Sequence, residues 1–96
     1  MRKDFTEPTG FFDFMPGDYG KDAEGRWWIR VTVPEGKRQF PSLRLGDHTV
    51  VENPDRTITV SPSILAHFGN GLKWHGYLEN GVFRWLNDSV FENFDA

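Results

Sequence analysis

Cysteine is absent from this chain. Disulfides and thiolate metal ligands are therefore excluded, and redox chemistry gives no hint of compartment. No run of about 20 apolar residues, the length of a membrane-spanning helix, occurs anywhere, and the start MRKDFTEPTGFF lacks the apolar centre of a secretory signal. A soluble cytoplasmic protein without membrane contact is the expectation. Dense charge of either sign is missing as well. Fourteen acidic and 11 basic residues leave a net charge of −3, too little for a mimic of DNA. The one basic cluster, Lys37-Arg38 with Arg44, is interrupted by Phe40 and Pro41, which argues against nucleic acid as a partner, since that role asks for a basic patch or stripe.

Catalytic signatures are equally scarce. Ser61, Ser63 and Ser89 sit in no GxSxG elbow or Ser-x-x-Lys pattern, so Ser61 and Ser63 read as partners for backbone groups freed by Pro62. Gly69-Asn70-Gly71 lacks the Lys-Ser/Thr that completes a phosphate loop. The acidic stretch Asp13, Asp18, Asp22, Glu24 fails the alternating spacing of a calcium loop and reads as solvated loop. Among His48, His67 and His75, no two stand at i, i+2 on a strand or i, i+4 on a helix. The reading is a non-enzymatic chain with no cofactor and no metal, its histidines on the surface or hydrogen-bonded.

What the chain does have is aromatic residues. They make up 16% of it, with nine Phe and four Trp among 96 residues, and they favour strands and bury large areas. A chain of this length makes one domain with a single core. Arg26 to Val33 alternates, with Trp27, Ile29, Val31 and Val33 on one face and Trp28, Arg30 and Thr32 on the other. Pro34-Glu35-Gly36 closes it. Phe40, Leu43 and Leu45 suit an irregular or short extended segment broken by Pro41, and His48–Glu52 and Arg56–Ser61 read as strands joined by Asn53-Pro54-Asp55. For residues 61–69 an extended course is favoured over a helical turn or two opened by Ser61-Pro62. Asp18 to Gly25 reads as polar loop within a loop-rich segment 1–25. Asn87 to Phe94 is the one candidate short helix, capped by Asp88. The expected fold is all-β: a single, mostly antiparallel sandwich or roll over residues 1–96, with a C-terminal hairpin and at most one short helix.

The hairpin register can be counted directly. Asn80-Gly81 between two apolar-aromatic runs signals a type I′ turn, which needs positive φ at both central positions. Glu79 then faces Val82, Leu78 faces Phe83, Tyr77 faces Arg84, Gly76 faces Trp85 and His75 faces Leu86. Trp74, Leu78, Phe83 and Trp85 share the core side, with Gly76 leaving room for the Trp85 indole. His75, Tyr77, Glu79, Val82, Arg84 and Leu86 share the other side.

The runs TVSPSIL and WHGYLENGVFRWLND resemble the C-terminal signature of a family of small phage and prophage proteins, labelled hypothetical or, misleadingly, ammonia monooxygenase. The resemblance implies an infected or lysogenic bacterial host. In relatives of this type a Cys-His pair opens the hairpin and a Cys-x-His follows it, suggesting a zinc site. The matching positions here are Trp74, His75, Ser89 and Phe91, of which only His75 could serve as a ligand. The functional expectation is a protein that binds a host or phage protein, with inhibition of a host defence system as its narrower form. The surface would be built from His75, Tyr77, Arg84, Trp28 and Arg30, because exposed aromatics beside Arg typify contact hot spots. Trp28 reads equally well as a second-layer core residue. A metal- or small-ligand-binding role for His75, and a structural role in a virion or in self-assembly, including a homodimer, are the alternatives.

Overall fold

The computed structural model describes residues 1–35, 42–67, 71 and 73–91. The expected basic cluster at Lys37-Arg38, the residues Gly36, Phe40 and Pro41, the turn Gly69-Asn70 and the end of the expected helix, including Phe94, lie outside the described residues. Among the described residues eight strands form three antiparallel sheets: β1 (Tyr19–Lys21), β2 (Trp27–Arg30) and β3 (Ser42–Arg44); β4 (Thr49–Glu52) and β5 (Ile58–Ser61); and β6 (Ile64–His67), β7 (Lys73–Glu79) and β8 (Val82–Trp85). Among the described residues the helical structure in runs is a single 3₁₀ turn at Gly10–Asp13. The all-β, antiparallel reading is thus what the molecule shows.

Alternation of side chains organises each sheet. Ile58 and Val60 of β5, Ile64 and Ala66 of β6, and Trp74 and Leu78 of β7 point inward, and Thr59, Leu65, His75 and Tyr77 between them point out. The three sheets close on one core containing Ile29, Val31, Ile58, Ile64, Trp74 and Leu78, all without solvent exposure. Each aliphatic side chain so buried contributes roughly 1.5–3 kcal/mol. Trp74 also ties distant parts of the chain together, because its indole N–H donates to the Thr32 carbonyl at 2.9 Å and its ring meets Phe83 edge-on at 6.0 Å.

The β7–β8 register is the one counted from the sequence, Glu79 opposite Val82 through Gly76 opposite Trp85. Asn80 and Gly81 both have positive φ, and the turn docks on β5: Gly81 N–H donates to the Ile58 carbonyl and Asn80 N–H to Thr59 Oγ1. Strands β4 and β5 pair as expected, and residues 64–67 are extended, as favoured.

Four expectations are corrected. Asp18 to Gly25 is not simply loop, because Tyr19–Lys21 pairs with β2 and Tyr19 lies in the core. The chain before it is also sheet-like: Lys3 and Phe5 N–H groups donate to the Tyr19 and Lys21 carbonyls, so residues 3–5 run beside β1. The described part of Asn87–Phe94 is a turn followed by an antiparallel bridge from Val90 to Lys73, not a helix; backbone bonds in both directions between those two residues claim it for the third sheet. Trp85 is 39% exposed rather than core, because it sits at the end of edge strand β8, where Phe91 covers it from one side at 5.3 Å. Gly76 is required for a different reason from the one expected: a Cβ there would run into the Arg84 carbonyl and lie 2.8 Å from the Trp85 Cα, so it is the neighbouring backbone, not the indole, that needs the space.

Candidate functional site

The chain turns from β5 into β6 at Pro62, whose preceding peptide bond is cis. That corner delivers Ser63 to the outer face of the third sheet, one residue before the Ile64–Gly76 pair. On this face the Ser63 hydroxyl lies 3.2 Å from His75 Nε2. The other ring nitrogen, Nδ1, lies 3.0 Å from both carboxylate oxygens of Asp88. Asp88 comes from the turn after β8 and is also held by the Lys73 ammonium at 3.0 Å. A hydrogen bond from Lys73 and then one from His75 hold the Asp88 carboxyl below the usual carboxylate range. Asp88 is therefore an acceptor at neutral pH and takes the Nδ1 proton; in the neutral ring this leaves Nε2 to accept from the Ser63 hydroxyl.

Neighbouring groups fix this array. Ser89 Oγ accepts the His75 N–H and donates to the His75 carbonyl, both at 3.0 Å. His48 Nε2 lies 3.3 Å from the Ser63 carbonyl, so as donor it holds the Ser63 backbone. Two of the three histidines thus converge on Ser63, one at its carbonyl and one at its hydroxyl, while His67 is exposed at the end of β6. Among the described residues no group of three or more His, Asp or Glu is arranged to hold a metal ion.

Of the four positions singled out by the phage resemblance, His75 and Ser89 are in contact. Trp74 is sealed in the core, and Phe91 packs on Trp85. No sequence motif surrounds Ser63, because its partners lie 12 residues away at His75 and a further 13 at Asp88. The available signal was the counted hairpin face, which already placed His75 outward.

The expected binding residues separate into two groups. Tyr77 and Arg84 are directly opposite each other on the outer face of the third sheet. Leu65, Tyr77 and Val82 on that face are 52%, 40% and 59% exposed, and among the described residues Arg84 is held by a 3.7 Å ion pair to Glu79. Trp28 and Arg30 belong to the first sheet. Trp28 is half-buried, stacked on Phe11 at 4.3 Å with its indole N–H on Asp22 at 3.0 Å, and Arg30 donates to the Phe14 carbonyl at 2.7 Å. Both anchor the aromatic layer formed by Phe5, Phe11 and Phe14. The acidic residues read as a solvated loop have structural partners too. Asp22 accepts from the Glu24, Arg26 and Trp28 N–H groups. Asp18 is buried and accepts from the Met15 N–H and the Lys3 ammonium, both at 2.8 Å.

Among the described residues no helix is long and apolar enough to cross a membrane. Comparison with protein-family models, curated proteins and solved structures returns no match to this chain.

Proposed function

We propose that this protein acts by binding another protein through the outer face of the third sheet, centred on the Tyr77–Arg84 pair. The supporting observation is the exposure of Leu65, Tyr77 and Val82 on one face beside a loosely held Arg84. Apolar side chains shown to solvent together, with a guanidinium among them, have the composition of an interface rather than of an ordinary sheet surface. The face is rigid, because its inward residues are sealed in the core and its hairpin turn is hydrogen-bonded to β5. Little ordering entropy is then lost on docking.

The resemblance of the C-terminal third to phage proteins points to a bacterial host protein as the partner, a component of a defence system being the narrower case. The test is capture from host lysate with the wild-type protein and with Tyr77→Ala and Arg84→Ala. Both substitutions truncate exposed side chains and should leave the melting temperature unchanged. Each should weaken binding by about tenfold or more, as hot-spot truncations do. Full retention of the partner by both variants would remove this face from the function.

A further inference from the structure

We propose that Ser63 is a nucleophile, activated by His75 with Asp88 as its orienting partner, and that it accepts the acyl group of small uncharged esters. This goes beyond the binding reading and does not depend on it. Serine, imidazole and carboxylate are joined in the order that nucleophilic catalysis requires. The carboxylate is on Nδ1 and the hydroxyl on Nε2, at 3.0 and 3.2 Å, and such arrays are recognised by geometry and not by chain order or motif. A serine that merely satisfied backbone groups freed by Pro62 would turn its hydroxyl to an N–H or a carbonyl. Here the hydroxyl faces an imidazole, while the backbone on either side is secured by other means: the Ser63 carbonyl by His48 and the His75 peptide groups by Ser89.

The site is also reachable. Ser63 is half-buried, His75 is 24% exposed, and Ser63 lines a cleft of about 230 Å³ together with Ser61, Pro62, Tyr77 and Glu79. That volume suits a short acyl chain, and the Glu79 carboxylate on its wall, met by the Arg84 guanidinium only at 3.7 Å, disfavours an anionic one. In the acylation step the bond from Ser63 Oγ to the acyl carbon forms as the hydroxyl proton passes to His75 Nε2. The ester C–O bond then breaks, and the departing alkoxide takes that proton. Water, deprotonated by the same nitrogen, attacks the acyl-serine, releases the carboxylic acid and returns the proton to Ser63.

The test uses the whole chain and two probes, an alkyl fluorophosphonate that leaves a stable adduct on activated serines and p-nitrophenyl acetate for turnover. Peptide mapping after fluorophosphonate treatment should place the adduct on Ser63 at least about tenfold above Ser61, an exposed serine two positions upstream in the same molecule. The adduct should fall about tenfold or more in His75→Gln. Release of p-nitrophenolate should fall similarly in Ser63→Ala and drop in Asp88→Asn. Labelling of Ser63 no faster than Ser61 in the wild-type chain overturns the proposal whatever the variants do, since that ratio is internal to one folded molecule. Unchanged ester hydrolysis in Ser63→Ala overturns it as well, by showing that the imidazole or an amine reacts alone.

Discussion

Replacing Trp74 by Phe tests how the third sheet is held to the rest of the molecule. Trp74 has no solvent exposure, and its indole N–H donates to the Thr32 carbonyl at 2.9 Å across 42 residues of chain. Phe keeps the aromatic contact with Phe83 but lacks the donor, so a partly buried carbonyl loses its partner at a cost of about 1–3 kcal/mol. The smaller ring leaves roughly 40 Å³ unfilled, and at about 24 cal/mol per Å³ of cavity this adds near 1 kcal/mol. The expected loss is therefore about 2–4 kcal/mol, a fall in melting temperature of more than 8 °C at the 4–8 °C per kcal/mol of a domain this small. Urea unfolding followed by far-ultraviolet circular dichroism, which does not rely on the altered indole, measures it directly. Trp85→Phe is the matched control: Trp85 is 39% exposed, so the same substitution should cost less than about 1 kcal/mol. A Trp74→Phe loss below about 1 kcal/mol, or one no larger than that of Trp85→Phe, would refute the assignment of Trp74 as the tie between β7 and the end of the first sheet.

Gly76→Ala should cost about 1–3 kcal/mol, because its Cβ meets the Arg84 carbonyl and the Trp85 Cα, which are backbone and cannot turn aside; a midpoint in urea equal to wild type would show that the strand pair can open to admit a methyl group. Asp18 gives a pH dependence. Burial raises its pKa, but the hydrogen bonds from Lys3 and the Met15 N–H outweigh burial and hold it below the ordinary 3.8. The unfolded chain therefore binds the extra proton first as pH falls, so the contribution of Asp18 is complete above about pH 4 and is lost as pH drops through the lower folded value. Asp18→Asn should flatten the acid limb of a stability–pH curve, and an acid limb parallel to wild type would contradict the pairing. Tyr77→Phe keeps the ring and removes only the hydroxyl. Partner binding close to that of wild type, with loss in Tyr77→Ala, is expected if the ring's apolar area carries the contact, and equal loss in both would assign it to the hydroxyl.

Much of the scaffold was legible because it is local. Alternation in Trp27 to Val31 and in Ile58 to Val60 sets faces two residues at a time. Asn80-Gly81 sets a turn whose backbone few other pairs can adopt, and the register of every β7–β8 pair follows from it. Errors fell where neighbours across the fold overrule local pattern. Trp85 has the parity of a core residue, but it lies where an edge strand runs out of cover. Asn87 to Val90 has a helical start signal, but Lys73 claims its backbone for a bridge. For Trp28 the sequence left a binding surface and a second layer equally open; the chain before β1 returns to stack Phe11 on its ring and to set the Phe14 carbonyl on Arg30.

The amino-acid sequence by itself determined the class of fold, the hairpin and the absence of thiol chemistry, since period-two burial, turn dihedrals and composition are properties of short stretches read in isolation. Only the tertiary structure decided that Ser63, His75 and Asp88 meet. Each is unremarkable in its own stretch of chain, and they become a hydrogen-bonded array because a corner at Pro62, the pairing of β6 with β7 and a turn after β8 bring three separate segments to one face.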